Sequence, residues 1–178
     1  AGYFHSCGVT TPGGVECWGS DYYEESSPPS GSFATVSTGG YHSCGVTTSG
    51  SVECWGSDGS GQSSPPLGSF ATVGAGYFHS CGVTTSGGVE CWGHGGFGQS
   101  SPPLGSFTTV GAGYFHSCGV TTSGSVECWG NDGYGQSSPP SDSFTTVSAG
   151  EWHSCGVTTS GSVECWGSDD YGQSSPPS

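Results

Sequence analysis

Histidine, serine and cysteine recur in this chain at spacings that chemistry can use. His42, Ser43 and Cys44 stand in a row and Cys54 follows, and the same arrangement returns at His5, His79, His116 and His153. The first cysteines fall at 7, 44, 81, 118 and 155, the second at 17, 54, 91, 128 and 165, so equivalents are 37 residues apart. Three chemistries are open to such a set. A Ser–His pair can make a nucleophile, but neighbours on a strand point to opposite faces, so His42 and Ser43 cannot form a dyad. His42, Cys44 and Cys54 can ligate a metal, yet three ligands without a fourth argue against zinc. Two cysteines directly opposed on paired strands can form a disulfide; the alternative is two buried thiols packing as small apolar groups.

The elements that must position these residues are strands. The unit HSCGVTTSGSVECWG at His42–Gly56 reads as a β-hairpin. Thr47-Thr48-Ser49-Gly50 supplies its turn, and Cys44 with Val46, then Val52 with Cys54, alternate onto one face. Centring the turn on Ser49 places Cys44 opposite Cys54, and the same register pairs Cys7 with Cys17, Cys81 with Cys91, Cys118 with Cys128 and Cys155 with Cys165. A further short strand is Phe33–Val36, repeated at Phe70–Val73, Phe107–Val110 and Phe144–Val147. Pro28-Pro29 and their equivalents belong to an extended connection or an edge. No helical periodicity occurs. The expectation is an all-β chain of five 37-residue repeats (1–37, 38–74, 75–111, 112–148 and 149–178) within one domain spanning 1–178. The fifth copy stops seven residues short, at the counterpart of Gly31–Ser37. Its blade is therefore expected to lack one strand, leaving an edge where a neighbouring molecule can dock.

Composition narrows the setting. The chain has no Lys or Arg against 14 Asp and Glu, a net charge of −14. Nucleic acid and anionic membrane surfaces are disfavoured partners, since both need cationic side chains. No apolar run is long enough to insert in a membrane. A chain that starts at Ala1 without a signal peptide reads as a mature or excised product. Met and Ile are absent and the only leucines are Leu67 and Leu104, so Val, Phe, Trp, Tyr and Cys must fill the core. Ten cysteines in five identical pairs indicate an oxidising compartment, hence a secreted or cell-surface protein.

Comparing the copies separates framework from variation. The hairpin tip is nearly constant, whereas the opposite end changes: Tyr3-Phe4 becomes Gly40-Tyr41, Tyr77-Phe78, Tyr114-Phe115 and Glu151-Trp152. The loop after each Cys-Trp-Gly varies too, carrying Asp21, Tyr22 and Tyr23, then Asp58, His94 and Phe97, Asp132 and Tyr134, and Asp169, Asp170 and Tyr171. In the disulfide register Phe4 faces Ser20 and Tyr3 faces Asp21, so both variable patches meet at one end. Such an aromatic and acidic surface suits a glycan or a basic protein; the competing reading is aromatic packing between blades. His94 is expected to be exposed. The loop acids can hold calcium, although no twelve-residue calcium loop is present; no other cofactor is expected. The repeated histidines read as structural groups fixing the opening turn, and Trp18, Trp55, Trp92, Trp129 and Trp166 as packing residues.

The pattern Gly-x-x-His-Ser-Cys-Gly-Val, then Ser-Gly-x-Val-x-Cys-Trp-Gly, then Gly-x-Gly-Gln, resembles the RCC1-like repeat family, particularly its short-repeat bacterial secreted or surface members. It extends over essentially the whole chain. The resemblance implies a β-propeller with one repeat per blade, ligand contacts on a rim or face, and binding rather than catalysis. Well-known members have seven blades and a protruding wedge for exchange-factor activity, for which 37-residue repeats leave no room. The favoured function is a non-enzymatic, lectin-like or protein-binding extracellular module with repeated sites. The alternatives are a self-assembling filament or surface-layer subunit joined through the fifth blade, and a secreted enzyme-inhibitor-like propeller.

Overall fold

The computed structural model describes residues 1–177; Ser178, the end of the fifth repeat, lies outside the described residues. The strands in chain order are β1 (His5–Val9), β2 (Val15–Gly19), β3 (Phe33–Thr38), β4 (His42–Thr47), β5 (Val52–Gly56), β6 (Phe70–Ala75), β7 (His79–Thr84) and β8 (Val89–Gly93). They continue as β9 (Phe107–Ala112), β10 (His116–Thr121), β11 (Val126–Gly130), β12 (Phe144–Ala149), β13 (His153–Thr158) and β14 (Val163–Gly167). Every His-Ser-Cys strand pairs antiparallel with its Val-Glu-Cys-Trp strand, and each first cysteine faces its second. All five pairs are disulfides, with Cα atoms 4.0 to 4.1 Å apart. That separation is the close approach of a directly opposed, non-hydrogen-bonded pair.

The Phe-x-Thr-Val strand joins the hairpin that follows it. The sheets run β3-β4-β5, β6-β7-β8, β9-β10-β11 and β12-β13-β14, while β1-β2 stands as a pair. The sheet with two strands is thus the first, and the fifth, expected to be short, has three. Connection length explains the pairing. Only residues 39–41 separate β3 from β4, a hairpin link, whereas residues 20–32 with Pro28-Pro29 separate β2 from β3.

Successive sheets stack through a repeated core. Phe70, Val73 and Trp92 of one sheet pack on Cys44, Val46 and Val52 of the one before, and the same contacts recur along the array. Burying each such phenylalanine stabilises by roughly 1.5–3 kcal/mol. Val36, Val73, Val110 and Val147, from β3, β6, β9 and β12, border one central cavity.

Candidate functional site

The hairpin ladder continues one residue beyond the strands. Ser20 N donates to Phe4 O at 2.9 Å, and Ser57, His94, Asn131 and Ser168 donate likewise to Tyr41, Phe78, Phe115 and Trp152. The two variable patches therefore meet, as the register requires. The rings then reach across to the next sheet. Phe4 and Tyr23 lie 5.7 and 5.4 Å from Tyr41, Phe97 lies 4.6 Å from Phe115, and Tyr134 lies 5.5 Å from Trp152. Tyr114 meets the same Trp152 at 5.1 Å, and Phe78 stacks on Phe115 at 5.9 Å. One aromatic layer thus runs along the array. Gly40, where other copies carry Tyr or Glu, permits its continuity: a Cβ there would stand 2.8 Å from the Tyr77 ring, which crosses it to contact both Tyr3 and Tyr41.

Toward the centre, Tyr3, Tyr77, Tyr114 and Glu151 line an open cavity of about 220 Å³. Burial, followed by neighbouring tyrosines, pushes the Tyr77 phenol up; burial, followed by the Glu151 carboxylate, pushes Tyr114 up. Both hydroxyls stay protonated, that of Tyr114 beside the Glu151 carboxylate. Tyr22 and Tyr171 stand outside this layer at 84% and 95% exposure.

The loop acids have local work. Asp58 accepts hydrogen bonds from Ser63 N and Ser64 Oγ at 2.8 and 2.7 Å, and Asp21, Asp132 and Asp169 hold their own Ser-Ser pairs in the same way. Asp170 lies 3.4 Å from Ser168 Oγ. Among the described residues no group of three or more His, Cys, Asp or Glu is placed to hold a metal. His94 departs from the exposed position expected of it. Its ring is half-buried between Phe78, Phe97 and Phe115, and its Nδ1 lies 2.7 Å from Gln99 Nε2.

A second constellation went unread in the sequence because half of it is backbone. His5, His42, His79 and His116 each place Nε2 2.7–2.8 Å from the serine Oγ of the next repeat: Ser43, Ser80, Ser117 and Ser154. Those serines donate to the backbone carbonyls of Glu25, Gln62, Gln99 and Gln136, one repeat back. Trp55, Trp92, Trp129 and Trp166 donate their indole N–H to the same four carbonyls at 2.8–3.0 Å. Histidine does meet serine, then, but between repeats. From His42 onward both side chains of each such pair are sealed in the core, and each serine proton is committed to a carbonyl, so the pair acts as a clasp and not as a nucleophile. Trp18 departs from its packing role: it is 61% exposed, against 8% for the other four.

Repeated three-stranded sheets with inner strands around a shared cavity define a protein of the β-propeller class. The chain belongs to the RCC1 repeat family: the profile of the regulator of chromosome condensation (RCC1) repeat matches residues 33–62, 70–99, 107–136 and 144–173. Each match starts at the phenylalanine of the inner strand, as the sheets do. No curated protein sequence matches significantly. Among solved structures, the ectodomain of the receptor kinase ACR4 from Arabidopsis thaliana is 30% identical, with a TM-score of 0.75 over 94% of this chain and 63% of that one. The ectodomain of the Physcomitrella patens receptor kinase CR4 is 29% identical, with a TM-score of 0.81 over 93% of this chain and 50% of that one. Prp20p from Saccharomyces cerevisiae shares the fold at 16% identity and a TM-score of 0.78, over 92% of this chain and 56% of that one. The chain thus spans from about half to under two thirds of the length of these structures.

Proposed function

We propose that this protein is a non-enzymatic extracellular recognition module that binds a protein through its aromatic end. The supporting observation is the layer from Phe4 to Trp152, in which rings of successive sheets touch. Many of these contacts are edge-to-face, as in Tyr41–Tyr77 at 79° and Tyr114–Phe115 at 85°, so the edge of one ring stands against a flat face of its neighbour. Sugar stacking needs free flat faces; an apolar protein patch does not. With Glu151 at the centre and no Lys or Arg in the chain, the fitting partner has an apolar centre and a cationic rim. Five disulfides and the likeness to two receptor ectodomains support the extracellular setting.

Parallel protein and glycan arrays test this reading. Binding to basic proteins, reduced by Tyr23→Ala with Tyr134→Ala at unchanged melting temperature, is the expected result. Binding confined to glycans, or protein binding indifferent to both substitutions, would overturn it.

A further inference from the structure

One glutamine closes the loop that follows Cys-Trp-Gly. In the third repeat Gln99 is fully buried, and its Oε1 accepts from Phe97 N at 2.9 Å, so its Nε2 donates to Nδ1 of His94 at 2.7 Å. Gln62, Gln136 and Gln173 make the same two bonds, but there the acceptors of Nε2 are Ser57 Oγ, Asn131 Oδ1 and Ser168 Oγ. Those oxygens take up no proton near neutrality, whereas imidazole does so between about pH 8 and 5. The third loop is also the least tied. Residue 95 is glycine where the other copies carry Asp21, Asp58, Asp132 and Asp169, so its Ser-Ser pair lacks the carboxylate that holds the others.

A second proton on His94 would turn Nδ1 into a donor and set two N–H groups against each other at 2.7 Å. Gln99 cannot answer by rotating its amide, because its NH2 would then face the Phe97 N–H that its Oε1 now accepts. The half-buried imidazole is the part free to move. It stands 6.2, 6.3 and 5.8 Å from Phe78, Phe97 and Phe115, so its departure loosens Phe97 from Phe115. On the segments packed against it, burial holds His79 at about 3 and His116 at about 4, and pushes the phenols of Tyr77 and Tyr114 up. None of these four changes charge between about pH 5 and 8. The adjacent loops add Asp58 and Asp132, whose carboxylates are taken by their own serines.

We propose that His94 is a proton-operated latch on the aromatic layer, holding the 94–99 loop and Phe97 in place while neutral and freeing them, with a weaker grip on a protein partner, once doubly protonated. Binding is then strongest above the imidazole range and is lost as pH falls through it. The effect on binding rests on the protein-binding role proposed above; the opening of the loop does not.

NMR of the free protein between about pH 7.5 and 6 reads the latch while the buried histidines stay neutral. The Gln99 side-chain amide and the Phe97 amide should shift along one curve with the His94 ring, and the contacts between the Phe97 and Phe115 rings should fade. His94→Asn and His94→Ser supply the acceptors found in the fourth repeat and in the second and fifth, and in both the pH response of Gln99 and Phe97 should vanish. Protein arrays read at the two ends of the range should show basic proteins bound severalfold less tightly in acid, within the roughly tenfold per pH unit that one proton allows. Either variant should remove that difference. A Gln99 amide that ignores the His94 titration, or that still responds in both variants, overturns the proposal, and so does protein binding that is equal at the two pH values. With no protein bound at either pH the protein-binding role fails instead, and the NMR titration alone decides the latch.

Discussion

His42 Nε2 lies 2.8 Å from Oγ of Ser80, 38 residues further along and in the next sheet. The Ser80 proton is directed to the Gln62 carbonyl at 3.1 Å, so the imidazole donates through Nε2. Its Nδ1 is left as the bare nitrogen, buried and without a partner, as are the Nδ1 atoms of His79 and His116. A second proton on any of these rings would sit in the core with no acceptor. Neutral histidine is therefore a condition of the interface between repeats, and stability should follow its titration.

Burial holds His42 and His116 down at about 4 and His79 at about 3, against an ordinary value of 6.5. Between those values and 6.5 the unfolded chain binds protons that the folded chain refuses. Stability is then fully present above the unfolded value and is lost as pH falls through the window toward 4. For each fully buried ring the loss is on the order of 3 kcal/mol. Thermal melts from pH 4 to 8 should be flat above about 7 and fall steeply below about 6. His79→Gln, which cannot titrate, should shallow that fall; an unchanged slope would remove His79 as a contributor.

Glu24 has φ of 65°, the only positive value at a non-glycine residue among those described, and glycine occupies the equivalent positions 61, 98, 135 and 172. The left-handed conformation costs a residue with a Cβ about 1–2 kcal/mol. Glu24→Gly should therefore raise stability by about 1 kcal/mol, less the entropy that glycine adds to the unfolded chain. Chemical denaturation of the two proteins measures the difference, and a destabilised variant would assign Glu24 a compensating contact.

The five disulfides should not reduce together. In the three central pairs Cys44, Cys81 and Cys118 are fully buried and only the second cysteine is partly accessible, whereas in the two terminal sheets both cysteines of each pair are partly accessible. Exchange requires a thiolate to reach a sulfur. Graded reduction with alkylation and mass mapping should label the pairs Cys7–Cys17 and Cys155–Cys165 first. Removing a central pair by Cys81→Ser with Cys91→Ser should cost about 2–4 kcal/mol.

Much of this arrangement could be read from the chain alone, and the residues show why the rest could not. The turn at Ser49 fixes the phase of Cys44 against Cys54, and one phase carries both the disulfide and the meeting of Phe4 with Ser20. Phe33–Val36 is legible as a strand, but alternation does not say which hairpin it joins. The short link 39–41 held that information, because a hairpin partner must be close in the chain. The clasp was hidden more deeply: the atom that Ser80 and Trp92 share is the backbone carbonyl of Gln62, and a side-chain pattern does not report a backbone acceptor. The local work of the loop acids was hidden for a related reason, since Asp58 accepts from Ser63 and Ser64 only once the loop folds back on it.

The same carbonyl separates two tryptophans that look alike in sequence. Trp92 is buried, donates to Gln62 O at 2.9 Å, and lies under Phe70. Trp18 has neither contact's counterpart and is largely exposed. Trp92→Phe keeps an aromatic ring but leaves the shared carbonyl with Ser80 alone and opens a gap where the indole stood. The hydrogen bond and the lost packing together should cost about 2–3 kcal/mol. Trp18→Phe should change stability by no more than about 0.5 kcal/mol, as surface substitutions do. Urea denaturation of both variants against the parent decides the matter. Equal losses would mean that Trp18 is packed like the other four tryptophans.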